Sequence, residues 1–130
     1  MKCLDTDILI DFIRGEEDAV NYIRKIKDKG EELATTWVNS CEILKGAYSR
    51  GEPQEISGIH NLLNSLYVLL PTIGTSELYA QLYSRLKHKG KIIGDFDLII
   101  SSIAIENDVV LISCDKDFES VSELKIEKWR

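Results

Sequence analysis

The 130-residue chain carries 16 basic and 22 acidic residues for a formal net charge of −6, is 44% hydrophobic and 29% charged, and contains 8 Gly and 2 Pro. That length suits one domain spanning residues 1–130 that buries roughly two thirds of the surface its unfolded form exposes. The composition excludes disordered, collagen-like and low-complexity chains, and the acidic balance excludes coating of polyanions by bulk charge, so any nucleic-acid role must be local.

The greasiest stretch, Leu98 to Ile105, is broken by Ser101 and Ser102 and falls well short of the ~20 apolar residues a membrane helix needs, so no membrane association is expected. An acid as early as Asp5 argues against a secretory signal. Cys3, Cys41 and Cys114 are odd in number, lack metal-finger spacing and lie in or beside apolar segments. Small buried hydrophobes in a reducing cytoplasm are the expectation.

In chain order, short apolar runs predict strands at Lys2 to Leu4, Leu33 to Thr35, Tyr67 to Leu70 and Val109 to Ser113, with a weaker one at Leu124 to Trp129. Helical patterns lie between them. Ala19, Tyr22, Ile23 and Ile26 make one apolar stripe and Ile56, Ile59, Leu63 and Leu66 a second; Leu78 or Tyr79, Leu82 or Tyr83, and Leu86 make a third. Asp97 to Asn107 is apolar almost all round, as a helix packed centrally against a sheet would be. Strands separated by helices imply right-handed crossovers, and so a three-layer α/β/α domain on a mainly parallel sheet of about five strands.

Sites in open sheets form beyond the carboxyl ends of the strands, where strand order reverses. Asp5 and Asp7 follow the first strand, Glu42 comes shortly after the second, and Asp115 and Asp117 follow the fourth, while Asp95 and Asp97 open the apolar helix. Each acid has a structural reading of its own. Asp7 suits a cap for the helix that Gly15 ends, Asp95 and Asp97 suit a positive helix terminus, Asp115 suits the cap of a short turn, and Asn39 with Glu42 resembles a capping box. Asp5 fits such a role least, because it abuts a strand. Carboxylates converging on one edge would repel by roughly 3 kcal/mol per close pair at an effective dielectric near 20. A divalent cation relieves that repulsion.

Oxygen ligands without histidine or thiolate partners favour Mg²⁺ or Mn²⁺ over zinc, and His60 and His88 have no HExxH-like partner. Such ions suit phosphate chemistry, where they activate water as the nucleophile. No glycine-rich phosphate loop or Ser-His-Asp constellation competes.

Four segments in this order, Leu4-Asp5-Thr6-Asp7-Ile8-Leu9-Ile10, Ser40-Cys41-Glu42-Ile43-Leu44-Lys45-Gly46-Ala47, Ile93-Gly94-Asp95-Phe96-Asp97-Leu98-Ile99-Ile100 with Ala104, and Leu111-Ile112-Ser113-Cys114-Asp115-Lys116-Asp117-Phe118, resemble the PIN-domain ribonucleases. The similarity is specifically to VapC-type toxins of prokaryotic toxin–antitoxin pairs, and it covers essentially the whole chain. It implies a Mg²⁺- or Mn²⁺-dependent endoribonuclease acting on single-stranded RNA segments, with Asp5, Glu42, Asp97 and Asp115 as catalytic acids and metal ligands and Asp117 assisting or substituting. Thr6 and Ser113 match hydroxyl positions beside the first acid, and Asp95 is either a supporting ligand or the helix cap. Ser113 stands where the pattern often has Thr.

The resemblance also implies RNA as substrate, an antitoxin whose tail covers the acidic cleft, and a homodimer. Arg14, Lys45, Arg50, Lys89 and Lys91 are the candidate RNA contacts, set against solvated helix ends. Tyr48, Tyr79 and Tyr83 suit base stacking or a dimer interface. Three alternatives remain open at this point. One is a PIN-domain RNA-processing nuclease without a toxin role. Another is a haloacid dehalogenase-type phosphatase, since Asp5-x-Asp7 and Gly94-Asp95-x-Asp97 mimic its motifs, although Glu42 then has no task. The third is a catalytically silent binding module.

Overall fold

The computed structural model describes residues 1–130. Its elements run β1 (Lys2–Leu4), α1 (Thr6–Ile13), α2 (Glu17–Asp28), β2 (Leu33–Thr36), α3 (Trp37–Arg50), α4 (Pro53–Asn64), β3 (Tyr67–Leu69), α5 (Ile73–His88), α6 (Asp95–Glu106), β4 (Val110–Ile112) and β5 (Ile126–Glu127). The five strands lie in the order β3-β2-β1-β4-β5, and every neighbouring pair is parallel. This is the expected α/β sheet. Its strands match the apolar runs to within a few end residues.

Alternation along the strands decides what each face holds. Cys3 and Leu111 point into one core with Leu82, Leu86, Leu98, Ile100 and Ile103 from α5 and α6. Their neighbours Leu4 and Ile112 point into the other with Ile8, Leu9, Ala19, Ile23, Ile26 and Ile59 from α1, α2 and α4. Each buried Leu or Ile contributes roughly 1.5–3 kcal/mol by leaving water, so the two cores clamp the sheet between helical layers. Helix α3 contributes Val38 to the first core and Ile43 and Ala47 to the second, which brings its first turn across the sheet edge. It ends at Gly51, whose φ of +71° only glycine adopts without strain, and Pro53 then starts α4.

Two local expectations are corrected. The capping box at α3 pairs Thr36 with Asn39, not Asn39 with Glu42, because the helix begins three residues earlier than the Asn-to-Glu spacing suggested. The N-cap position of α1 is Asp5, with extended backbone at φ −76° and ψ 167°, so Asp7 lies inside the first turn, where it accepts from the Ile8 N–H without being the N-cap residue. No helix is long and apolar enough to cross a membrane.

Candidate active site

Strand order runs outward from β1 through β2 to β3 and then resumes on the other side of β1 with β4. The switch point therefore lies between β1 and β4, and Asp5 and Ser113 are the first residues past the ends of those two strands. The Asp5 backbone N–H donates to the Ile112 carbonyl at 3.1 Å, which ties the acid to β4 before its side chain is considered. That side chain is 6% exposed. Asn39 Nδ2 donates to its Oδ1 at 2.9 Å and Ser113 Oγ donates to its Oδ2 at 2.7 Å. Burial raises the Asp5 pKa and the charge of Asp115 adds to the rise, while the Ser113, Thr6 backbone and Asn39 donors oppose it.

Thr6 Oγ1 donates to Glu42 Oε1 at 2.7 Å, so a hydroxyl beside the first acid aims the glutamate on the second turn of α3. Glu42 is pushed up by burial and by Asp5, against the Thr6 hydrogen bond and the nearby Lys45. Asp97, in the first turn of α6, is pushed up to about 7 by burial and then by Asp115, Asp5, Glu42 and Asp117, so it senses all four other acids. The carboxylates of Asp97, Asp115 and Asp117 have oxygens within 4.8 Å of one another. Asp115 is also the cap of the 3-10 turn at Lys116–Ser120, where its Oδ1 accepts from the Asp117 N–H at 2.9 Å. Ser113 Oγ accepts from the Asp115 N–H at 3.1 Å, and one serine thus holds both the first and the last acid.

None of these five acids is in an ion pair. Like charges gathered at a protein edge without a counterion leave a strongly negative, oxygen-only donor set, which fits a hard divalent cation. Asp7 stands next to this group. Its Oδ2 accepts from the Cys114 N–H at 3.2 Å and its Oδ1 from the Ile8 N–H at 2.8 Å, and burial followed by the Asp5 charge pushes it up to about 6. It fastens α1 to the loop after β4.

Asp95 is not brought to the cluster. It is exposed at the start of α6, where Tyr79 donates to its Oδ1 at 2.7 Å. The basic candidates are dispersed. Lys45 is exposed on the Glu42 helix close enough to hold that carboxyl down. Arg14 and Arg50 line a groove of about 580 Å³ with Ile10, Ile13 and Ile43, and Arg50 is held there by Glu55. Lys89 and Lys91 sit in the exposed segment between α5 and α6. Tyr48 is exposed, while the Tyr79 and Tyr83 rings pack with centroids 6.3 Å apart.

Sequence reasoning gave Asn39 no place in the site, yet it is fully buried and touches both Asp5 and Thr6. The available signal was a polar residue one turn before Glu42, on the same helical face.

The chain matches the family model described as PIN domain over residues 2–124. Ribonuclease VapC1 of Haemophilus influenzae is 27% identical over 128 residues, covering 97% of this chain and 96% of that one. Ribonuclease VapC2 of Rickettsia felis is 27% identical with the same coverage. Among solved structures, VapBC2 from Rickettsia felis bound to a DNA fragment from their promoter superposes with a TM-score of 0.90 at 25% identity, covering 99% of this chain and 98% of that one. VapBC-1 from nontypeable Haemophilus influenzae gives a TM-score of 0.87 at 26% identity, covering 98% and 97%.

Proposed function

The chain belongs to the PIN domain family, and on that premise we propose that it is an endoribonuclease that hydrolyses phosphodiester bonds in single-stranded RNA segments as the toxin of a VapBC-type toxin–antitoxin pair. One observation carries the reading. Five carboxylates from four separate segments gather at the switch-point edge without a single paired cation. Asp5, Glu42, Asp97 and Asp115, with Asp117 beside them, are the residues that would hold Mg²⁺ or Mn²⁺. Such an ion supplies a Lewis acid that activates water and offsets phosphate charge.

The chain's own groups have distinct tasks in this reading. Ser113 and Asn39 hold Asp5 by one oxygen each and favour its ionised form. Thr6 fixes the Glu42 rotamer. Burial and then the four neighbouring acids push the Asp97 carboxyl up to about 7, and a cation held among them would favour its ionised form. Lys45, whose charge reaches Glu42, would meet a phosphate at the cluster's margin, and the dispersed Arg14, Arg50, Lys89 and Lys91 would be further backbone contacts, which position a strand without reading its bases.

The partners follow the same reading. A cognate antitoxin would cover the acidic cleft and present a basic side chain to it, since the uncompensated carboxylates attract one. A second copy of the chain would cover the apolar cleft of about 460 Å³ lined by Trp37, Val38, Cys41, Pro71, Tyr79 and Phe96, where Trp37 and Phe96 are each 50% exposed. The three free thiols fit the reducing cytoplasm.

The deciding experiment is cleavage of RNA by purified protein in Mg²⁺ or Mn²⁺. Cleavage lost in EDTA and blocked by the product of the neighbouring reading frame is the expected result. Undiminished cleavage in excess EDTA overturns the metal-dependent reading.

A further inference from the structure

Asn39 uses its whole hydrogen-bonding capacity, two donors and two lone pairs, inside the protein. Its Oδ1 accepts from the Thr36 N–H at 3.2 Å and from the Thr36 hydroxyl at 2.7 Å. Its Nδ2 donates to Asp5 Oδ1 at 2.9 Å and to Thr6 Oγ1 at 3.0 Å. The orientation of the amide is settled chemically, because a backbone N–H can only donate and the oxygen must therefore face Thr36. Both amide protons are then committed to the β1 end.

This arrangement has a consequence for the hydroxyl next to it. Since Thr6 Oγ1 accepts from Asn39, its single proton is free to go to Glu42 Oε1, 2.7 Å away. One side chain thus sets the direction of two ligand carboxylates that come from different elements, Asp5 after β1 and Glu42 on α3. A capping box is usually completed by Glu or Gln at this position. Glutamate here would set a further charge against Asp5, and glutamine would carry the amide one methylene too far. We propose that Asn39 is a positioning residue for the nuclease centre, holding Asp5 and Glu42 in mutual register, in addition to completing the cap of α3.

The inference rests on the ribonuclease reading, and its test separates the two. Asn39→Leu keeps the branched shape and loses all four hydrogen bonds. Mn²⁺ binding is measured by calorimetry at a temperature where wild type and variant are both folded, beside steady-state RNA cleavage and melting in EDTA. A residue that only caps the helix lowers the melting temperature but leaves the Mn²⁺ affinity of the folded molecule unchanged. A positioning residue weakens Mn²⁺ binding at least tenfold and lowers kcat about 10²-fold while the KM for RNA stays within threefold, since the phosphate contacts are elsewhere. Asn39→Ser, which retains one hydroxyl donor in a smaller side chain, should fall between the two proteins on both scales and stands in if the leucine variant does not fold. Wild-type Mn²⁺ affinity and kcat in either folded variant overturn the proposal. Absence of Mn²⁺ binding and cleavage in the wild type itself would instead overturn the ribonuclease reading.

Discussion

Replacing Asp97 by Asn should flatten the protein's stability response to pH and lessen its response to metal. The carboxyl of Asp97 is pushed from 3.8 up to about 7, so the folded state holds the proton more tightly than the unfolded chain. The unfolded chain releases it near pH 4 and the folded protein near pH 7, and between those values stability falls as pH rises. Fully counted, that displacement converts to about 4 kcal/mol at 1.36 kcal/mol per pH unit. Asp97 is only half-buried and water screens its neighbours, which reduces the realisable loss to about 1–2 kcal/mol. Asparagine carries no charge to repel, but it gives up the favourable position of an acid in the first turn of α6, about 0.3–1 kcal/mol. Thermal melts in EDTA at matched ionic strength should therefore show the variant matching or exceeding wild type at pH 8 by up to about 1.5 kcal/mol, a few degrees in a chain of this length. At pH 4 to 5 the gap should close, because the folded protein then holds Asp97 neutral like the asparagine. Saturating Mn²⁺ should give the advantage to wild type, since a ligand at 100 times its dissociation constant contributes about 2.7 kcal/mol to the state that binds it. A variant that loses stability in parallel with wild type from pH 5 to 8 in EDTA, and gains as much from Mn²⁺, refutes the cluster.

Glu42→Gln should leave the melting temperature in EDTA within a few degrees of wild type while lowering RNA turnover by 10² or more, about 3 kcal/mol of barrier; wild-type turnover per folded molecule would remove Glu42 from the chemistry. Asp7, pushed up to about 6, opposes folding above that pH as Asp97 does, so Asp7→Asn should flatten the stability profile between about pH 4 and 6 and keep the acceptor for Cys114; a profile unchanged from wild type counts against it. Asp95→Asn should cleave RNA within threefold of wild type, because its carboxylate is exposed and engaged by Tyr79; a tenfold loss would return it to the site. Ser113→Ala, which frees one oxygen of Asp5 and the N–H of Asp115 together, should weaken Mn²⁺ binding more than fivefold, and unchanged affinity in calorimetry would refute its supporting role.

The sheet was legible because every strand is a short apolar run bounded by polar or glycine-containing segments, and parallel order followed from the helices between them. Strand order was not, since nothing local distinguishes β4 from β3 as the neighbour of β1. Asp95 and Asp97 show where pattern reasoning ends. Both open the same helix with the same charge, but two residues along a helix turn the side chain by about 200°. That rotation sends one carboxylate to Tyr79 of α5 and the other toward Asp115, Asp5, Glu42 and Asp117. Choosing between them requires the phase of α6 against the sheet, which depends on how Leu98, Ile100 and Ile103 pack in the core. Asn39 was missed for a related reason. Its partners Thr36, Thr6 and Asp5 are 3, 33 and 34 positions away, so only the first falls within the reach of a local motif.

In the sequence, capping and metal binding are rival explanations for each acid, and the geometry removes the rivalry. Asp115 spends Oδ1 on the Asp117 N–H as a cap, yet its carboxylate belongs to the group whose oxygens lie within 4.8 Å. Asp5 occupies the N-cap position of α1 while its two oxygens are held by Asn39 and Ser113. Asn39 completes the cap of α3 with its oxygen and supports the acids with its nitrogen. Strand ends and helix starts meet at one edge of a parallel α/β sheet, and that edge presents unpaired backbone N–H groups which hold carboxylates in fixed orientation. A carboxylate held this way keeps lone pairs free on the side facing away from the backbone. The caps therefore supply part of the preorganisation that a metal-binding edge requires, and a substitution at Asn39 or Asp115 should be judged on stability in EDTA and on Mn²⁺ affinity separately, because it touches both, whereas Glu42→Gln, away from the caps, should move chiefly the second.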